Sequence, residues 1–84
     1  MLITFKRFRL SVRSKDEYIV EKKLKELSIG YYKKRYDTEY KNHKITKVFF
    51  TDCSCSVDAF NELCSFIESE NVYVILTEGA QSKI

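Results

Sequence analysis

The side chains with chemistry to offer a metal ion or an acyl group are Cys53, Cys55, Cys64 and His43. Structural zinc takes paired ligands at spacings such as C-x2–4-C and H-x3–5-H, and C-x-C followed after eight residues by a single cysteine matches none of them. Cys64 falls on the apolar stripe of a predicted helix, where a free cysteine behaves as a small hydrophobe. Cys55 lies near a predicted helix N-terminus, which lowers a thiol pKa, but the one histidine sits in a distant turn and is a poor base for it. Asp52, at the end of a predicted strand, reads as a loop or cap residue. Glu62, Glu68 and Glu70 read as solvated helix charge, and no two carboxylates are spaced for general acid–base work. The two glycines, Gly30 and Gly79, are too far apart to cradle a phosphate. The expectation is a protein that is not an enzyme and needs no metal or cofactor.

A second set of residues offers binding rather than catalysis. Phe5, Arg7, Arg9, Lys47, Phe49 and Tyr73 interleave rings with cations, and Lys33 and Arg35 extend the series. Rings stack on bases and cations meet phosphates, so this mixture suits RNA or another single-stranded nucleic acid. No predicted helix is basic along one face, as major-groove readers are. The same mixture also suits a protein interface, including a homodimer, because Phe, Tyr and Arg are enriched there.

The elements that must position these residues can be read from periodicity. Residues 2–12 alternate as a strand, with Phe8, Leu10 and Val12 on one face and Ile3, Phe5, Arg7 and Arg9 on the other. Ser14-Lys15-Asp16-Glu17 reads as a capping box opening a helix whose stripe is Ile19, Val20, Leu24 and Leu27, and Gly30 reads as its left-handed stop. Glu21–Lys25 and Lys22–Glu26 stand at i,i+4 on the polar face. Residues 31–40 and 45–51 form a hairpin around Lys41-Asn42-His43-Lys44. Either the tyrosines of its first strand or Lys33 and Arg35 face outward. Residues 52–56 read as a polar break, with Ser56 capping a second helix along Val57, Phe60, Leu63, Cys64 and Ile67. A last strand covers 72–77, with Tyr73 and Ile75 outward.

The order β-α-β-β-α-β predicts an α+β, ferredoxin-like sandwich: a four-stranded antiparallel sheet with both helices on one face, the strand order 4-1-3-2 being carried over from that fold. One domain over 1–78 and a short tail at 79–84 follow from the length of 84 residues. Within that fold, residues 44–50 lack the aromatic–glycine signature of RNA-recognition motifs. Ser14-Lys15-Asp16 supplies neither the acylphosphatase loop nor the C-x-x-C of heavy-metal-binding domains. The end of the first strand, Ser11-Val12-Arg13, lacks the Asp of CRISPR-associated nucleases of this fold. The short, proline-free chain rich in Lys, Tyr and Phe looks like the small accessory proteins of large phages.

Charge is uneven. Residues 1–50 hold 14 Lys+Arg against 6 Asp+Glu, whereas 51–84 hold one lysine against six acids. A basic side and an acidic side are expected. The longest apolar run after the N-terminus, Val72 to Leu76, is far short of a membrane span, and basic residues 6, 7 and 9 interrupt any signal-like core. A cytoplasmic protein with three free thiols, no membrane association, and either nucleic acid or a protein partner as target is the expectation. The functional reading is a small non-enzymatic nucleic-acid-binding regulator, with a protein-binding inhibitor or regulatory module as the alternative.

Overall fold

Phe8, Leu10 and Val12 are buried on one face of the first strand, β1 (Phe5–Arg13), as their period of two requires. A computed structural model describes residues 5–78; Ile3 and the predicted 79–84 tail lie outside them. After β1 come α1 (Glu17–Glu26), β2 (Gly30–Tyr40), β3 (His43–Ser56), α2 (Val57–Ser69) and β4 (Val74–Glu78). The sheet order is β2-β3-β1-β4, and every pairing is antiparallel. This is the predicted α+β sandwich, read from its other edge.

The core lies between the sheet and the helices. Leu10, Val20, Leu24, Val48, Phe50, Cys53 and Leu63 are fully buried. Phe60 meets Phe8 edge to face, with ring centroids 5.1 Å apart. Tyr31 meets Phe50 in the same way at 5.3 Å.

Several local expectations are corrected. Ser14–Asp16 form a 3-10 turn without a side-chain cap, because Glu17 is engaged elsewhere. Gly30 does not end α1; it opens β2, and Ser28 takes the left-handed position at φ 57°. The Ser28 N–H donates to the Lys25 carbonyl at 3.1 Å and the Ile29 N–H to the Leu24 carbonyl at 2.9 Å. That is a Schellman closure, and the apolar contact it brings seats Ile29 in the core. The end of α2 repeats it, with Asn71 at φ 57° and Val72 donating to the Ile67 carbonyl at 3.1 Å. The Ser56 cap is as expected, its hydroxyl accepting from the Ala59 N–H at 3.2 Å. The hairpin turns on Lys41 and Asn42, both at positive φ, between paired Tyr40 and His43. This is the two-residue geometry that matches strand twist.

The polar break predicted at 52–56 is part of β3. Opposite β1, Phe8 pairs with Cys53 but Leu10 with Phe50; opposite β2, Gly30 pairs with Ser54 but Tyr32 with Thr51. Both neighbours slip at the same place, so the extra residue belongs to β3. It is Asp52, at φ 52°. The bulge moves Cys53 and Cys55 into phase with the core, where both are buried.

Candidate functional site: the open sheet face and its bulge

With both helices on one side, the other side of the sheet carries the odd-numbered residues of β1 and the even-numbered residues of β2. Register assigns the rest: Tyr32, Lys34, Tyr36 and Thr38 lie across from Thr51, Phe49, Lys47 and Ile45. Ser11 and Arg9 lie across from Ile75 and Thr77. Of the eight large apolar side chains exposed among the described residues, seven stand on this face: Phe5, Tyr32, Tyr36, Tyr40, Ile45, Tyr73 and Ile75. Tyr36 packs edge to face on Phe49 at 5.4 Å, and the Arg13 guanidinium lies 5.3 Å from the Tyr73 ring centre.

Phe5, Arg7, Arg9, Lys47, Phe49 and Tyr73 therefore share the open face, as their alternation predicts. Lys33 and Arg35 do not. Tyr32, Tyr36 and Tyr40 of β2 point outward and the two cations point to the helix side, onto α1. Arg35 Nη2 donates to both Glu17 carboxylate oxygens at 2.7 Å, and Lys33 Nζ donates to Glu17 at 2.9 Å and to Glu21 at 2.8 Å. The Tyr31 hydroxyl donates to Glu21 at 2.6 Å. Glu17 and Glu21 are one helical turn apart and form a single acidic face over this edge strand. The hydrogen bonds from Arg35 and Lys33 hold the Glu17 carboxyl below its ordinary range, and those from Lys33 and Tyr31 do the same for Glu21. Burial, then the bond to Glu21, pushes the Tyr31 hydroxyl up to about 12. Two cations expected to meet phosphate on the open face are thus already paired on the other side of the sheet.

The bulge shapes the other end of the open face. An open basin of about 730 Å3 lies there, lined by Arg7, Phe8, Arg9, Thr51, Asp52, Ser54, Thr77 and Glu78. Arg7 stands across from Ser54; Arg9 stands across from Thr77 on one side and faces the bulge on the other. Among the described residues neither arginine enters an ion pair, whereas Glu78 is bound by Lys6 Nζ at 3.0 Å. Sequence reasoning missed the basin. Its signal was the change of phase between Val48, Phe50 and Cys53, Cys55, where apolar residues fall three apart instead of two.

The cysteines offer no chemistry to this face. Burial, with Cys55 and Asp52 nearby, pushes the Cys53 thiol up to about 12, and burial also raises Cys55 and Cys64. Among the described residues no group of three His, Cys, Asp or Glu side chains is placed to hold a metal ion. Among them, too, no helix is long and apolar enough to cross a membrane.

No protein family and no curated protein matches this chain. Solved structures do. A PII-like signalling protein of Thermus thermophilus superposes with a TM-score of 0.62 at 14% identity, over 94% of this chain and 88% of that one. The CPII protein of Thiomonas intermedia, solved with ADP, AMP and acetate, gives 0.60 at 8% identity over 96% and 94%. An uncharacterised DUF2179 protein of Eubacterium ventriosum gives 0.55 at 15% identity over 88% and 97%. The likeness is one of fold. It overturns the nucleic-acid reading: of these neighbours one is described as PII-like signalling, one as bound to ADP, AMP and acetate, and none as a nucleic-acid binder. The pairing of Lys33 and Arg35 with α1 removes part of the surface that reading required. The likeness to phage accessory proteins finds no support among these bacterial structures.

Proposed function

We propose that this protein is a small, non-enzymatic regulatory module that associates through its open sheet face, with a second copy as the first occupant, and responds to a small ligand. The observation that carries the reading is the gathering of seven of the eight large exposed apolar side chains among the described residues on that one face. Contiguous apolar surface rimmed by polar groups marks an interaction site. The regulatory role is supported by the fold shared with a protein described as PII-like signalling. The small-ligand response is supported by the related CPII structure, described as bound to ADP, AMP and acetate.

Charge makes the reading testable. Around Tyr36, Tyr40 and Ile45 the face carries Arg13, Lys34 and Lys47, so two copies meeting there bring like charges together. Apolar burial must outweigh that repulsion, and salt screens it. Light scattering on the purified protein is expected to give a mass above the 10.0 kDa chain, rising between about 0.05 M and about 0.5 M NaCl. Tyr36→Lys with Ile45→Lys, which removes apolar area and adds to the repulsion, should return it to a monomer without loss of fold, because both side chains are exposed. A wild-type chain that stays monomeric at every salt concentration would refute self-association.

A further inference from the structure

We infer that the basin at the β3 bulge is a binding site for a diphosphate-bearing small molecule, held by Arg7 and Arg9. This rests on the small-ligand part of the proposed function and gives it a place and a chemistry. Four observations converge there. The basin's volume of about 730 Å3 is in the range of small-molecule sites. Arg7 and Arg9 stand two residues apart on one strand face, roughly 7 Å between side-chain origins, near enough for their long side chains to converge on the two phosphoryl groups of a diphosphate. Both are exposed and free of ion pairs among the described residues, unlike Lys33, Arg35 and Lys6, which the fold has already neutralised. Ser54 and Thr77, each directly across from one of the arginines, bring hydroxyl donors to the same oxygens.

The bulge adds a fifth. A non-glycine residue at φ 52° inside a strand is an outlier that the rest of the sheet must hold in place. Its effect is to interrupt the ladder opposite Arg9, opening the concavity and placing Asp52 beside two cations; the second lining carboxylate, Glu78, is already paired with Lys6. Asp52 weakens the attraction for a bare anion and can accept from a hydroxyl or amine elsewhere on the ligand. The basin lies at the end of the sheet away from the hairpin, so it is separate from the Tyr36, Tyr40 and Ile45 patch.

Inorganic pyrophosphate is the probe, titrated into the full chain by isothermal calorimetry. Orthophosphate serves as the single-phosphoryl comparison. Saturable pyrophosphate binding is expected, tighter than orthophosphate. Arg7→Ala and Arg9→Ala should each weaken it by about tenfold or more, as the loss of a charge-assisted contact implies. Lys47→Ala, which removes the same charge from the same face outside the basin, should change it by less than about twofold. Asp52→Asn, which keeps a residue tolerant of positive φ, should tighten it by about threefold. No saturable binding to the wild-type chain, or an equal loss in Lys47→Ala, would overturn the site. Loss of binding with self-association intact would remove the basin alone; binding without self-association would keep the basin and remove the interface.

Discussion

Replacing Lys33 by methionine probes the arrangement on which the open face depends. Lys33 Nζ lies 2.9 Å from a Glu17 oxygen and 2.8 Å from a Glu21 oxygen, and the three side chains are 32%, 12% and 20% exposed. A charge-assisted hydrogen bond contributes about 1.5–3 kcal/mol when well buried, whereas an exposed ion pair contributes about 0.2–1 kcal/mol. At these exposures solvent screening places the two bonds together at about 1–2 kcal/mol. For a domain of this size each kcal/mol moves the melting temperature by about 4–8 °C, so Lys33→Met should melt roughly 4–16 °C lower by circular dichroism. Added salt should narrow the gap. Acid should close it. Both carboxyls are held below their ordinary value of 4.5, so their contribution is present above that value and lost as pH falls through the folded one. Wild type and Lys33→Met should therefore converge as the pH drops below about 4.5. A melting temperature unchanged at neutral pH, the usual result at an uncommitted surface site, would put Lys33 in solvent. It would also imply a one-residue slip of β2, which turns every tyrosine of that strand the other way.

Ser28→Gly should stabilise the fold by about 0.5–1 kcal/mol in urea denaturation, since a left-handed serine costs more than the backbone freedom glycine surrenders; no change would mean the turn relaxes at no cost. Of the three thiols, Cys64 should react first with a disulfide reagent at pH 8, while Cys53 and Cys55 react only as fast as the protein opens. Rapid labelling of all three in the folded state would place the β3 bulge elsewhere.

Most elements were legible before any coordinates because each is announced locally. The apolar stripes of α1 and α2, the Ser56 cap and the alternation in β1 are nearest-neighbour signals, and the structure realises them. The turn read at Lys41-Asn42-His43-Lys44, which the structure narrows to Lys41-Asn42 with His43 and Lys44 in β3, and the order β-α-β-β-α-β followed from the same kind of reading. The Gly30 stop failed for an instructive reason. Glycine is the residue best suited to the left-handed position, but the helix ends where Ile29 can reach the core, and that puts Ser28 there instead.

What the chain by itself determined, then, is the set of elements, the content of the core, and a face that mixes rings with arginines. Tertiary structure decided what that mixture is for. The outward side of β2 was undetermined because Tyr and Lys/Arg both alternate there; the carboxylates of Glu17 and Glu21, more than ten residues away in sequence, draw Lys33 and Arg35 inward and leave the tyrosines outside. The basin depends likewise on three strands meeting around one extra residue. Period-two patterning says which way a side chain points, but a concavity exists only once β1, β3 and β4 are laid side by side.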